Sequence, residues 1–329
     1  MIGNLIALLV LLAIAVLFGY LVKRAWGTKR GALLKWGGVI LAGLFTLVFV
    51  LVFVIGLIGF FKTTMPLGNP ASNVKVQGTA EQIARGQVLA LGCTGCHAPE
   101  ENPALIGAND NFAQIPDGPN LGTIYPPNLT PAGEIKNWSD GEIIRAIREG
   151  VHQSGRPLLV MPTAAFHSIS DPDVQAIVAY LRSLPATSHQ PQNDSPSNSV
   201  NVLGLMMIGA GIFDTSAQPP ITQPIPDPPL GVNAERGRYL TAAFGCQDCH
   251  GKTLTGGTLG GFTPVGPNLP LTTASWSDAD IIKLFRTGTL PDGKIVSNDM
   301  PWKDYSQFSD DEYKSMLAFI KSLPKDAPK

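Results

Sequence analysis

The chain has 329 residues and four cysteines, which fall in two short pieces: Cys93-Thr94-Gly95-Cys96-His97 and Cys246-Gln247-Asp248-Cys249-His250. Cys-x-x-Cys-His is the spacing at which haem c is attached. Two thiols a few residues apart on one turn can add to the two vinyl groups of one porphyrin. The adjacent His then comes up beneath the iron as an axial ligand. Other chemistries use the same residues: one zinc site with four thiolates, a redox dithiol, or two disulfides. None of these explains why a His follows both pairs, or why Met-Pro recurs downstream of both, at Met161-Pro162 and Met300-Pro301. The pattern points to two covalently bound haem c groups, held by Cys93, Cys96, His97 and by Cys246, Cys249, His250.

The second axial ligand follows from the register between the two pieces. Of the seven methionines, only Met161 and Met300 align, each just before a terminal helix. Met316 aligns with Ile177 on an apolar helix face and reads as core. His152, His167 and His189 have no counterpart in the second copy and read as surface or loop histidines. The expected metal ligands are therefore His97 with Met161 and His250 with Met300. Thioether plus imidazole raises the reduction potential relative to two imidazoles, and it closes both axial positions to substrate.

These ligands sit in an internal repeat. Arg85-Gly86 and Arg236-Gly237 precede the cysteines. Gly-Pro-Asn-Leu follows at 118–121 and 266–269, then Trp138-Ser139-Asp140 and Trp276-Ser277-Asp278, each Trp preceding Gly150 or Gly288 by 12 residues. Both copies close on Ser-Leu-Pro, at Pro185 and Pro324. Helix starts are legible as Thr79-x-x-Gln82, Ser139-x-x-Glu142 and Ser309-x-x-Glu312, with Ser170-Asp171-Pro172 as the fourth. Val174, Ile177, Val178 and Leu181 make one apolar face, matched by Tyr313, Met316, Leu317 and Ile320. Each copy should therefore have three short helices and long Gly/Pro loops, with the flat apolar cofactor completing the core.

The N-terminal part differs in kind. Residues 2–22 and 37–61 are apolar and uncharged, and each is long enough to cross a hydrocarbon core of about 30 Å. Lys23, Arg24, Lys29, Arg30 and Lys35 lie between them, so that loop should be cytoplasmic and the rest extracytoplasmic. The first segment lacks the basic start and small-residue site of a cleaved signal. Residues 1–62 hold six of the 24 basic residues and no acid. The remainder holds 18 basic against 25 acidic residues, a net of −7. An acidic bulk without a basic stripe excludes nucleic-acid binding. It favours a basic redox partner.

The fold expected is all-α: a transmembrane hairpin over 1–62, a linker over 63–78, haem domains over 79–186 and 231–329, and a Pro/Ser/Asn-rich linker over 187–230. That linker holds one apolar run, Val202 to Phe213, too short to span a membrane. It reads as a strip packed between the domains or against a partner.

With these motifs in place, each copy resembles the class I cytochromes c. The first copy (Tyr125-Pro126-Pro127-Asn128-Leu129-Thr130, Trp138-Ser139-Asp140, Met161-Pro162, Ala179 to Pro185) is most similar to cytochrome subunits of membrane-bound alcohol, aldehyde and gluconate dehydrogenases. Those subunits usually carry three haem domains and lack a two-helix N-terminal anchor. In that family the Pro of Gly-Pro-Asn-Leu offers its carbonyl to the proximal His, which implies Pro119 and Pro267 here. The resemblance implies an electron carrier, not itself an enzyme, within a respiratory or dehydrogenase complex on the outer face of the cell membrane. A diheme peroxidase-like or thiosulfate-oxidising enzyme needs an exchangeable iron position, which matched methionines deny. A purely structural tether is the third reading.

Overall fold

A computed structural model of the chain describes residues 2–29, 31–99, 104–188, 199–257 and 264–326. It begins with two long antiparallel helices, α1 (Ile2–Trp26) and α2 (Ala32–Thr64). Both are long and apolar enough to cross a membrane. They pack through small residues: Gly19 faces Thr46, Gly43 faces Val22 and Gly56 faces Leu8. Phe18 stacks on Phe45 and Phe49. At the basic turn, Trp26 meets Trp36 edge to face, with Lys35 over the Trp26 ring.

The first copy contains α3 (Ala80–Leu89), α4 (Leu91–His97), α5 (Asp140–Glu149), α6 (Thr163–Phe166) and α7 (Asp171–Ser183). The second repeats the plan with α9 (Ala234–Ala243), α10 (Cys246–His250), α11 (Leu269–Thr272), α12 (Asp278–Thr287) and α13 (Asp310–Ser322), after an intervening α8 (Val202–Gly209). The expected caps form. Thr79, Ser139 and Ser309 each close a full capping box, and Ser170 accepts from Asp173 N. Among the described residues each copy has five helices rather than three, because the cysteine turns α4 and α10 and the short segments α6 and α11 are also helical. The fold is mostly helical, with two antiparallel ladders: β1 (Gly122–Thr123) with β2 (Ser199–Val200), and β3 (Thr255–Gly257) with β4 (Gly266–Asn268).

The structure explains the repeat's unassigned anchors. Gly150 and Gly288 cap α5 and α12 in the left-handed conformation, at φ 65° and 68°, which glycine adopts without steric cost. From each cap a tight loop returns, Leu158 N to Gly150 O and Val296 N to Gly288 O, and leads to the Met-Pro pair. Gly86 and Gly237 lie where α3 crosses α7 and α9 crosses α13. A β-carbon on Gly86 would lie 2.5 Å from the carbonyl carbon of Ala176 and 2.8 Å from Tyr180 Cβ. On Gly237 it would lie 2.5 Å from that of Ser315 and 2.8 Å from Phe319 Cβ.

The adjacent arginines tie the copies together. Arg85 holds Asp173 through Nε and Nη2, at 2.8 and 3.0 Å, and reaches Glu312 of the second copy through Nη1 at 2.8 Å. Arg236 also holds Glu312, at 3.3 Å. Tyr239 of the second copy donates to Asp173 at 2.7 Å. Asp173 and Glu312, the third residues of α7 and α13, are both 4% exposed, so this pseudo-symmetric network is the buried polar seam between the copies. One apolar core runs through both.

The segment after the first copy departs from expectation. Its described part, 199–230, is not a free linker but a strap on the first copy: Ser216 N bonds Leu158 O, Gln218 N bonds Glu149 O and Asp171 N bonds Ile225 O. Thr163 Oγ1 also donates to Ser216 O. The apolar run forms α8, and it packs between α2 and the first copy rather than between the two copies.

Candidate haem-binding site

In both copies the cysteine turn follows a helix that crosses the terminal helix of its own copy. Cys93 and Cys246 are partly buried against the core, and desolvation pushes their thiols up to about 12, with neighbouring thiol and carboxyl groups adding to the rise. Cys96 and Cys249 are raised too, again by burial first. Redox dithiols need the opposite shift. None of the four is in a disulfide. Among the described residues, no three His, Cys, Asp or Glu side chains converge as a metal cluster. These features fit thioether attachment and disfavour the three alternatives.

Each motif histidine is fixed through its far nitrogen. His97 Nδ1 lies 2.9 Å from Pro127 O, and His250 Nδ1 lies 2.9 Å from Pro267 O. With Nδ1–H donating to a carbonyl, Nε2 is left with its lone pair free for a metal. Burial lowers both imidazoles, partly opposed by the same hydrogen bond, so both are held neutral.

Pro267 O is the partner of His250 Nδ1, whereas the partner of His97 Nδ1 is Pro127 O and not Pro119 O. Pro119 O accepts from Ile115 N, in a loop away from the ring. The true counterpart of Pro267-Asn268-Leu269 is Pro127-Asn128-Leu129. Asn128 and Asn268 both donate to the chain just beyond the terminal helix, at Thr187 O and Lys325 O. Leu129 N and Leu269 N bond Leu105 O and Leu254 O. The first copy has a longer loop after its histidine, and that loop carries a second Pro-Asn-Leu at 119–121. Its Leu121 accepts from Asn201 N next to the ladder and packs in the cluster with α8 instead.

His97, Cys93, Cys96 and Met161 line one cavity of about 710 Å³, within the size range of cofactor sites. Its walls are mostly apolar, with Leu89, Trp138, Ile143, Ile147, Ile177 and Leu181 among them. Its polar lining includes Glu134, His152 and Arg156. His152 is therefore not a plain surface residue. Its Nε2 is 2.8 Å from Glu134 Oε1, and its ring stands edge-on to Trp138 at 4.9 Å. That hydrogen bond holds the Glu134 carboxyl below its ordinary value against the opposing effect of burial. His167, half-buried, bonds Arg148 O; His189 lies outside the described residues. Met300, like Met161, is partly buried against the core. Both use their carbonyls to start the next turn, through Thr163 N and Trp302 N at 2.8 Å. Met316 is buried core, as its helix position implies.

The two sites face each other, a relation the sequence does not reveal. The first cavity continues to Gly245, Asp248, Cys249, Asp304 and Tyr305 of the second copy. The cysteine turn of one copy lies against the segment after Met-Pro of the other. A β-carbon on Gly95 would stand 3.9 Å from Asp304 Oδ2, and one on Gly245 3.6 Å from Ala165 Cβ. Burial in this seam raises the Asp304 carboxyl to about 6.

Comparison with known proteins agrees with this geometry. Residues 83–185 match the cytochrome c family model, and residues 232–320 match that of cytochrome c oxidase, cbb3-type, subunit III. The chain is 32% identical over 270 residues to the fructose dehydrogenase cytochrome subunit of Gluconobacter japonicus, covering 74% of this chain and 53% of that protein. It is 31% identical over 177 residues to the gluconate 2-dehydrogenase cytochrome c subunit of Pantoea cypripedii, covering 51% and 37%. It is 30% identical over 287 residues to a subunit of nicotinate dehydrogenase from Pseudomonas putida, covering 79% and 22%. The chain thus spans about half or less of the length of these relatives. Its own two copies are cytochrome c domains, in a chain similar to the cytochrome subunits of dehydrogenases.

Proposed function

We propose that the chain is a membrane-anchored diheme electron-transfer subunit. It would carry electrons between a dehydrogenase or quinol-oxidising complex and an extracytoplasmic acceptor. The observation that carries this reading is the single cavity that holds His97 and Met161 and runs on to Cys249 of the second copy.

Haem c, when bound, supplies one-electron chemistry at its iron. The chain's residues do the rest. Four cysteines hold the two groups, and His97 and His250 present Nε2 with the tautomer set by Pro127 and Pro267. Met161 and Met300 would complete the hold on the two irons and keep substrates off them. Arg156, beside Glu134 and His152, is the cation in the first cavity suited to the porphyrin's carboxylates. The seam holds the two sites at fixed spacing. The domains are read as 79–186 and 231–329.

The hairpin is read as two membrane spans, with the basic turn cytoplasmic and both haem domains outside. That side is where haem c is attached, and α1 at 25 residues exceeds a core of about 30 Å. The acidic outer half suits a basic redox partner. The names of the relatives make a dehydrogenase subunit the leading partner.

Redox titration of the purified chain with absorption spectra tests the reading. Two low-spin haems with Met-type bands are expected, and intact mass should exceed that of the polypeptide by two haems. A single haem, or a high-spin haem at rest, would overturn it.

A further inference from the structure

We infer that α8 and the turn after it form a seat for the lipid bilayer, lying in the acyl–headgroup boundary on the outer face. The inference rests on the reading of α1 and α2 as membrane spans.

Helix α8 is fixed onto α2 by backbone contact at glycines, which sets its depth. A β-carbon on Gly59 would overlap the Leu205 backbone, one on Gly209 would overlap the Ile55 backbone, and one on Gly56 would reach Met206. Counting from Gly37, where the apolar run of α2 begins, Ile55 and Gly59 stand roughly 27 and 33 Å along the helix. These values bracket the far edge of a hydrocarbon layer about 30 Å thick. The N-terminal end of α1 agrees, since Asn4 Nδ2 donates to Val200 O at 2.8 Å, just before α8. Just beyond, Lys62 pairs with Asp214 at 3.3 Å, both exposed, where charges belong at the headgroup level.

Composition agrees with that depth. Residues 199–213 carry no charge, although the outer half is acidic overall. Gly204, Leu205 and Ile208 are buried against α2 and the first copy. Leu203 of α8 and Ile212 in the turn after it are 40% and 62% exposed. A charge-free helix that shows apolar side chains at this level, and is continuous with the spans, meets lipid there. A second copy of the chain, or a partner's helix, would have to displace that lipid.

The seat also orients the first haem site. Ile124 and Leu159 pack in the cluster that α8 completes, and both line the first cavity. Phe112, at the cavity rim, is 40% exposed and adjoins Ala113 of that cluster. One layer of side chains therefore separates the cavity from α8, and its rim lies against the membrane surface.

The test uses the full holo-chain in phosphatidylcholine vesicles, with an environment-sensitive fluorophore on one introduced cysteine at a time. Leu203→Cys, Ile212→Cys and Phe112→Cys are compared with Leu47→Cys, inside α2, and Ile295→Cys, on the second copy. Doxyl-labelled lipid should quench positions 203, 212 and 112 at least twofold more than position 295. Aqueous iodide should quench them at least fivefold less than position 295. Free access of iodide to these positions overturns the seat, and so does protection from both quenchers, which would mean a protein cover. If Leu47→Cys escapes doxyl-lipid, the span reading itself fails and the seat falls with it. If Leu47→Cys is quenched and the seat positions are not, the seat alone is wrong.

Discussion

Gly86→Ala puts one methyl group into the crossing of α3 and α7. Its carbon would lie 2.5 Å from the carbonyl carbon of Ala176 and 2.8 Å from Tyr180 Cβ, whereas non-bonded carbons rest at about 3.5–4.0 Å. The helices must separate by about 1 Å, because the nearest atoms are backbone and cannot rotate away. A gap of that size forfeits a quarter to a half of the dispersion energy of the contacts it opens. Overpacking of this kind costs about 1–3 kcal/mol. Because one core runs through both copies, the melting unit is about 250 residues, and a loss near 2 kcal/mol lowers the melting temperature by roughly 4–8 °C. Gly237→Ala should behave alike, since the second crossing has the same distances. Gly68→Ala is the control: Gly68 is exposed, with nothing within 4 Å of an added β-carbon. Thermal unfolding followed by far-ultraviolet dichroism and Soret absorption measures all three. A Gly86→Ala chain that melts within 2 °C of the parent would refute the crossing argument.

Other perturbations follow from the seam and the ligands. Arg85→Leu strands Asp173 and Glu312 with reduced pairing and should cost on the order of 3 kcal/mol, read by chemical denaturation. Asp304→Asn should flatten the pH dependence of stability. An acid raised from 3.8 to about 6 in the fold binds more protons folded than unfolded, so stability falls as pH rises through that window. The same change should raise the midpoint potential of the first haem at pH 7. Removing a negative charge that lines the first cavity makes the oxidised, more positive state less favourable; an unchanged potential would refute the placement of Asp304 beside that site. Met161→Ala and Met300→Ala should each lower the potential of one haem only and leave it high-spin. If neither spectrum changes, the ligand assignment is wrong.

Much of the fold and the site is legible in the sequence because the chemistry is local. Cys-x-x-Cys-His fits on one helical turn and capping boxes are four residues long. What needs three dimensions is long-range. The Arg-Gly pairs look like one motif, yet the glycines serve helix crossings while the arginines serve the seam between copies. Pro119 misleads because short identity cannot distinguish two Pro-Asn-Leu stretches. Only the hydrogen bond of His97 shows that the longer loop moves the working proline to 127. His152 looks bland in the sequence because its partner Glu134 lies 18 residues away. The run from Val202 to Phe213 declares itself apolar but not where it docks.

The reciprocal facing of the two sites bears on how the protein is made. Each cysteine turn is covered by the segment after Met-Pro of the other copy, and Cys93 and Cys246 are partly buried against the shared core. An attachment enzyme must reach those thiols while they are open. On the diheme reading, docking of the copies would therefore follow covalent loading of both, and the seam would serve as a checkpoint on that order.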